Sequence, residues 1–163
     1  MAAPPAPPSG PPAGGLRHYE DFAPGDAFDL GRRTLGRDEI LAFAAEFDPL
    51  PFHLDEEAAR ASLLGGLSAS GWHTAGVMMR LYVDGLLAAT ASMGGAGVER
   101  LDWKRPVRPG DELSATATVI EKRVSKSRPS MGIVRVRVTV ANGAGEVVLD
   151  CTNALLVAVR EPS

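Results

Sequence analysis

Residues 66–89 read GLSASGWHTAGVMMRLYVDGLLAA, and this segment decides which fold the rest of the chain can adopt. Trp72, Gly76, Met79, Val83 and Leu86 recur at helical spacing and share one face. The other faces are also mostly apolar, and a helix that is apolar on nearly all sides is usually buried. The segment therefore predicts a buried helix of about five turns, which the remaining elements have to cover.

The hydrophobic period changes from helical to two after this helix, which predicts β-strands. Strand-like patterns occupy four segments: VERLDW, ELSATATVIEK, MGIVRVRVTVA and EVVLDCTNALLVAV. In the third segment the valines from Val134 to Val140 alternate with Arg135, Arg137 and Thr139. One face of that strand would lie on a core and the other in water. Asn142 and Gly143 favour a hairpin to the last strand.

The region before the apolar helix predicts two further helices and a first strand. Apolar residues at helical spacing in RDEILAFAAEF predict a helix that Pro49 cannot continue. Asp55 can cap a second helix, EEAARASLL. An extended segment with a turn at Pro24-Gly25-Asp26 brings the total to at least five strands. The fold class is α+β, with one antiparallel sheet wrapped around the helix, and a free sheet edge favours pairing with a second subunit.

Composition excludes several classes of function. The 163 residues carry 17 basic and 20 acidic side chains, a net charge of −3, which disfavours nucleic-acid binding. No stretch reaches the roughly 20 apolar residues that span a bilayer. Residues 1–16 are rich in Pro, Ala and Gly and are predicted to be a disordered tail, with one domain over residues 17–163. The single cysteine, Cys151, cannot form an internal disulfide and fits a cytoplasmic location.

The stretch EFDPLPFH, residues 46–53, carries the candidate chemistry. Asp48 and His53 flank a rigid loop with two prolines, and such a pair can hold a water molecule and move its protons. Asp48 can equally accept hydrogen bonds at a turn, and His53 can cap the next helix. His73, inside the apolar helix, is expected to be a hydrogen-bonded core histidine.

Ser70 and Gly71 stand at the start of the apolar helix. The first N–H groups of a helix lack partners within it and carry partial positive charge, and glycine lets a ligand approach them. The Gly71 N–H would therefore suit a thioester carbonyl that takes on enolate character. The alternative is that Gly71 only permits a tight turn.

These residues resemble the MaoC-like dehydratases, the family that includes the (R)-specific enoyl-CoA hydratases and has the hot-dog fold. Asp48, Pro51 and His53 match the hydratase motif D-x-N-P-x-H, and Ser70-Gly71 match the start of the central helix. The segment DWKRPVRPGDEL is similar to a family strand pair, and the resemblance covers residues 17–160. It implies a curved antiparallel sheet around a long central buried helix.

The resemblance also implies an activity and a set of roles. Asp48 and His53 would activate water, and the Gly71 N–H would polarise the thioester carbonyl. Water would add to a trans-2-enoyl-CoA to give a (3R)-3-hydroxyacyl-CoA, or leave in the reverse reaction. The substrate would be an acyl-CoA or acyl-carrier-protein thioester and the protein a homodimer, with no metal and no cofactor.

One position departs from the motif, because Leu50 stands where the hydratases have Asn. Leucine has no amide with which to fix the loop by hydrogen bonds. A non-catalytic acyl-thioester-binding subunit of a hot-dog dimer would tolerate this change and is the alternative function. A thioesterase on the same fold is a third possibility.

Further substrate-binding residues are predicted outside the motif. Lys126 and Arg128, in the basic segment EKRVSKSRPS, would bind a phosphate of CoA or of a carrier-protein arm, or would simply form a solvated hairpin tip. Gly97, in MGGAGVERL, would let an acyl chain lie close to the backbone, or would belong to a plain loop. Ser70 and Trp72, on either side of Gly71, complete the substrate-binding set.

Overall fold

The computed structural model describes residues 15–160. The predicted tail lies almost entirely outside the described residues, so the division into a tail and a domain over residues 17–163 stays a prediction. In the described part of the chain, five strands form one antiparallel sheet. They are β1 (Ala27–Thr34), β2 (Ser92–Trp103), β3 (Glu112–Val124), β4 (Met131–Ala141) and β5 (Val147–Ala158). Their order across the sheet is β1-β3-β4-β5-β2.

Within residues 15–160, four α-helices accompany the sheet: α1 (Arg37–Phe47), α2 (Pro51–Leu54), α3 (Glu56–Ala61) and α4 (Gly71–Gly85). Short 3₁₀ turns occupy Tyr19–Asp21 and Leu87–Ala89. The bounds of α1 agree with the sequence pattern, and Asp55 caps α3 by accepting a hydrogen bond from the Ala58 N–H at 2.8 Å. The four-residue helix α2 was not predicted. It begins at a proline, whose fixed φ favours the first helical position.

Helix α4 packs its apolar face against the sheet. Val77, Met78, Leu81 and Tyr82 are buried with the inward valines of β4, which confirms the predicted α+β hot-dog arrangement of a curved sheet around a central helix. The helix has 15 residues, about four turns rather than five.

The expectation that the central helix is buried on nearly all sides is wrong for the single chain. Trp72 is 63% exposed and Met79 is 46% exposed, and Gly76 between them is exposed as well. The sequence predicted a buried face here because these residues are mostly apolar. Apolar residues alone do not show whether a helix face is covered by the sheet or left open.

The glycine-rich segment before Val98 belongs to β2 and not to a loop. Its backbone pairs with β5 through a register with several irregularities. Gly94 and Gly97 have φ values of 115° and 129°, which side-chain-bearing residues rarely adopt, so glycine permits these irregularities. Strand β2 lies at one edge of the described sheet. No helix among residues 15–160 is long and apolar enough to cross a membrane.

Candidate functional site

Asp48 and His53 meet at the junction of α1 and α2. The Asp48 N–H donates to the Ala44 carbonyl at 2.9 Å and so closes the last turn of α1. His53 lies in α2 and is buried, with Nε2 at 3.5 Å from Oδ2 of Asp48. The spacing of the two residues along the chain therefore brings a carboxylate and an imidazole face to face, as the motif implied.

The loop between them is held by the main chain of Leu50. The Leu50 N–H donates to the Asp48 carbonyl at 2.8 Å, and the Leu50 carbonyl accepts from the His53 N–H at 2.9 Å. The side chain is 46% exposed. These bonds do not depend on the identity of the side chain, so the loop keeps its shape with leucine in place of the motif asparagine.

The tautomer of His53 follows from its second ring nitrogen. Nδ1 lies 2.9 Å from the carbonyl oxygen of Ser68, which only accepts hydrogen bonds. Nδ1 must therefore carry a hydrogen, and in the neutral ring Nε2 holds the lone pair that faces Asp48. A histidine in this state can accept a proton at Nε2.

The backbone that carries the Ser68 carbonyl is held in turn by Arg108. Its guanidinium donates to the carbonyls of Leu64, Gly66 and Leu67, the last two at 2.5 and 3.3 Å. An arginine can satisfy several carbonyls at once because its donors form a rigid planar fork. Arg108 thus positions the segment on which the orientation of His53 depends.

Ser70 lies behind the carboxylate of Asp48. It is fully buried, and its Oγ donates to Asp48 Oδ2 at 2.7 Å while accepting from the Trp72 N–H at 3.3 Å. Ser70 is thus the N-cap of α4 and a direct partner of the candidate acid–base pair. It is not among the residues that line the adjacent cavity, although the sequence suggested substrate contact.

Gly71 is the first residue of α4 and lies against Trp103. The Trp103 Nε1–H donates to the Gly71 carbonyl at 2.7 Å. A Cβ atom on Gly71 would lie 2.7 Å from two atoms of the indole ring, far closer than van der Waals contact. The position therefore requires glycine. Its N–H lies in the first turn, where amides have no partner within the helix.

A cavity of about 690 Å³ opens in front of these groups. Asp48, His53 and Gly71 line it. The other lining residues are mostly apolar and include Phe52, Leu63, Leu64, Ala69, Trp72, Trp103, Pro106 and Val107. Lys104 and Arg105 also line it, with side chains 41% and 55% exposed. The cavity suits a largely neutral, partly apolar ligand whose reactive group reaches the acid–base pair.

The remaining sequence-predicted residues lie elsewhere. Trp72 lines the cavity, whereas Gly97 lines a separate cavity of about 340 Å³ beside Met79 and Tyr82 of α4. Lys126 and Arg128 follow the end of β3 and line neither cavity.

His73 differs from the expected hydrogen-bonded core histidine. Its ring stacks on Phe43, with centroids 4.6 Å apart and planes at 5°. Within the described residues its Nδ1 has no hydrogen-bond partner. It is not among the residues lining the cavity of Asp48 and His53.

Sequence reasoning missed several residues of this site. The Ser68 carbonyl accepts from His53, and the Trp103 indole donates to Gly71. Neither contact can be predicted from residue type or from spacing along the chain. Lys104 and Arg105 line the cavity as well, and their signal in the sequence is only a basic pair before Pro106.

Comparison with known proteins places the chain in one family. The family model described as "MaoC like domain" matches residues 21–142. The crystal structure of a MaoC-like dehydratase from Rhodospirillum rubrum is 50% identical, with a TM-score of 0.84, covering 89% of this chain and 99% of that one.

Two curated relatives are more distant in sequence. The uncharacterized protein YdeM of Bacillus subtilis is 29% identical over 123 residues, 76% of this chain and 86% of the relative. The (R)-specific enoyl-CoA hydratase of Rhodospirillum rubrum is 28% identical over 148 residues, 89% of this chain and 94% of the relative. With its fold, its motif residues and a family match over most of its length, this chain belongs to the MaoC-like domain family.

Proposed function

We propose that the protein is a hydro-lyase that adds water to trans-2-enoyl thioesters to give (3R)-3-hydroxyacyl thioesters, or catalyses the reverse dehydration. The observation that carries the proposal is the approach of His53 Nε2 to Asp48 Oδ2 at 3.5 Å on the wall of a largely apolar cavity. The name of the Rhodospirillum rubrum relative, an (R)-specific enoyl-CoA hydratase, supports the same reaction.

In the hydration direction, the pair Asp48 and His53 holds a water molecule by accepting its two hydrogens. The water oxygen forms a bond to C3 of the enoyl group as one O–H bond breaks and the proton passes to the pair. Negative charge moves to the thioester oxygen, where the Gly71 N–H stabilises it. The pair then returns one proton to C2, so one molecule of water is added. Because the two side chains face each other, the proton is assigned to the pair rather than to one residue.

A homodimer and a cytoplasmic location are part of this proposal. Strand β2 lies at a sheet edge, and its Met93 and Val98 are 44% and 61% exposed. Apolar side chains on an exposed edge strand favour pairing with another chain. Edge-to-edge pairing of two sheets through β2 would cover both residues.

The test is loss of the enoyl-thioester absorbance when purified protein is mixed with crotonyl-CoA or a longer trans-2-enoyl-CoA. We expect Asp48→Asn and His53→Ala each to lower kcat by about 10²- to 10⁴-fold, the usual contribution of a general acid–base group. Glu46→Gln, an exposed carboxylate on the same helix, is the matched control and should keep normal turnover. Full activity of Asp48→Asn would refute the proposal, and no turnover by the wild type at any chain length would favour the non-catalytic binding subunit.

A further inference from the structure

The cavity in front of Asp48 and His53 has a basic, exposed side. Lys104 and Arg105 follow the end of β2 and line the cavity together with Pro106. Of the described acidic residues, Asp48 is the one that lines this cavity, and its carboxylate already accepts a hydrogen bond from Ser70. Lys104 and Arg105 therefore give this side of the cavity the positive charge that suits an anionic ligand group.

The surface beside Lys104 continues this positive character. Asp102 Oδ2 is shared by Arg100 at 2.6 Å and Lys104 at 3.0 Å, so one carboxylate faces two cations. A second cavity, of about 580 Å³, is lined by three cations, Arg100, Lys104 and Arg137, and by Asp150 of β5, which forms an ion pair with Arg137. Lys104 lines both cavities and joins the catalytic one to this polar surface.

The ion pairs that hold these two cations are exposed. Arg105 Nη2 lies 3.3 Å from Glu146 Oε1, and the side chains of Arg105 and Glu146 are 55% and 46% exposed. Exposed pairs of this kind contribute little to stability. A phosphate group can therefore take Lys104 and Arg105 from their carboxylate partners without disturbing the fold.

We propose that Lys104 and Arg105 bind the phosphate of a phosphopantetheine thioester at the exposed side of the catalytic cavity. This inference rests on the proposed function of the Asp48–His53 site. The pantetheine arm is neutral and partly apolar, which matches the walls formed by Trp72 and Trp103, and its phosphate ends the arm. The same phosphate occurs in CoA and in acyl-carrier proteins, so the site recognises the group that both share.

The cations predicted from the sequence cannot serve the same phosphate. Arg105 comes shortly before β3 and Lys126 comes directly after it. The 13 residues of β3 span about 40 Å at roughly 3.3 Å per residue. Lys126 and Arg128 therefore lie at the opposite end of the sheet from the cavity.

The experiment compares crotonyl-pantetheine, crotonyl-4′-phosphopantetheine, crotonyl-CoA and a crotonyl-carrier protein as substrates. We expect K104Q/R105Q to raise KM for the three phosphorylated thioesters by about tenfold more than KM for crotonyl-pantetheine. The double variant K126Q/R128Q removes the same charge at the other end of the sheet and serves as the matched comparison. Among the wild-type reactions, the phosphorylated thioester with the lowest KM identifies CoA or carrier protein as the source of the phosphate.

Two results would overturn the proposal. One is an equal change of KM for phosphorylated and unphosphorylated thioesters in K104Q/R105Q. The other is a larger rise in K126Q/R128Q than in K104Q/R105Q. If the wild type turns over none of the thioesters, the proposed function fails separately, and calorimetric titration decides the phosphate site. In that case 4′-phosphopantetheine must bind the wild type at least about tenfold more tightly than pantetheine, and K104Q/R105Q must remove the difference.

Discussion

Ser70→Ala tests how the fold supports the candidate acid–base pair. The hydroxyl makes two contacts at once, donating to Asp48 Oδ2 at 2.7 Å and accepting from the Trp72 N–H at 3.3 Å. Alanine removes both contacts and adds no atom that has to be accommodated. Because Ser70 is fully buried, other groups cannot easily take its place.

The expected loss of stability follows from these two contacts. Removing an N-cap hydroxyl costs about 1 kcal/mol of unfolding free energy. Removing a hydrogen bond to a charged group costs about 1.5 to 3 kcal/mol. The side chain of Asp48 is 22% exposed, so water replaces part of the second contribution. We expect a total of about 2 to 3 kcal/mol, together with a fall in kcat of about tenfold because Asp48 loses the donor that orients it.

Asp55→Ala is the matched control for Ser70→Ala. The Asp55 side chain caps α3 by accepting from the Ala58 N–H at 2.8 Å and makes no hydrogen bond or ion pair with the described residues of the site. Its loss should therefore cost about 1 kcal/mol and leave kcat unchanged. Urea unfolding and the crotonyl-CoA assay give both quantities for each variant. Equal losses of stability in the two variants, with normal turnover by Ser70→Ala, would show that the bond to Asp48 has no effect and would refute the reasoning.

Three further predictions concern the central helix and its surroundings. In Gly85→Ala the new Cβ would lie 2.5 Å from the Leu30 Cα, so we expect the unfolding free energy measured in urea to fall by about 2 kcal/mol. Gly76→Ala is the control, because no described atom outside the helix's own backbone lies within 4 Å of its new Cβ, and it should be neutral or stabilising. Burial lowers the pKa of His73, so the unfolded chain binds a proton that the native state does not, and stability should fall as pH drops below about 6.5. His73→Gln should flatten that fall, and an unchanged pH dependence would contradict it. Arg108→Met leaves three carbonyls without their donor, so it should lower the unfolding free energy in urea by about 2 to 3 kcal/mol and also lower the rate of hydration. An unfolding free energy and a hydration rate equal to those of the wild type would contradict the positioning role of Arg108.

Local patterns predicted most of the fold. The alternating valines of β4 and the apolar spacing of α1 are properties of neighbouring residues, and both elements have the expected bounds. The strand character of the glycine-rich half of β2 was missed, because glycine has low strand propensity and pairing with β5 overrides it. The open face of α4 was missed for a similar reason, since the sheet and not the helix sequence decides which face is covered.

Residues of the candidate site that are close in sequence were also predicted, and contacts between residues distant in sequence were not. Asp48 and His53 are five residues apart, and the resemblance to a short motif was enough to predict that their side chains face each other. The Ser68 carbonyl contacts a histidine 15 residues away in sequence, and Trp103 contacts Gly71 across 32 residues. Such contacts exist only in the folded chain. The position of Lys104 and Arg105 beside the cavity, with Lys126 and Arg128 beyond the other end of β3, likewise depends on the folded sheet.

Leu50→Asn decides whether the departure from the hydratase motif matters. The Leu50 main chain already bonds to Asp48 and His53, and its side chain is 46% exposed, so the amide is not needed to shape the loop. Leu50 is also the N-cap of α2, a position where asparagine is strongly preferred over leucine. We expect Leu50→Asn to raise the unfolding free energy in urea by about 0.5 to 1 kcal/mol and to change kcat by less than about threefold. A rise in kcat of tenfold or more would mean that the amide orients the acid–base pair in a way that the main-chain bonds do not.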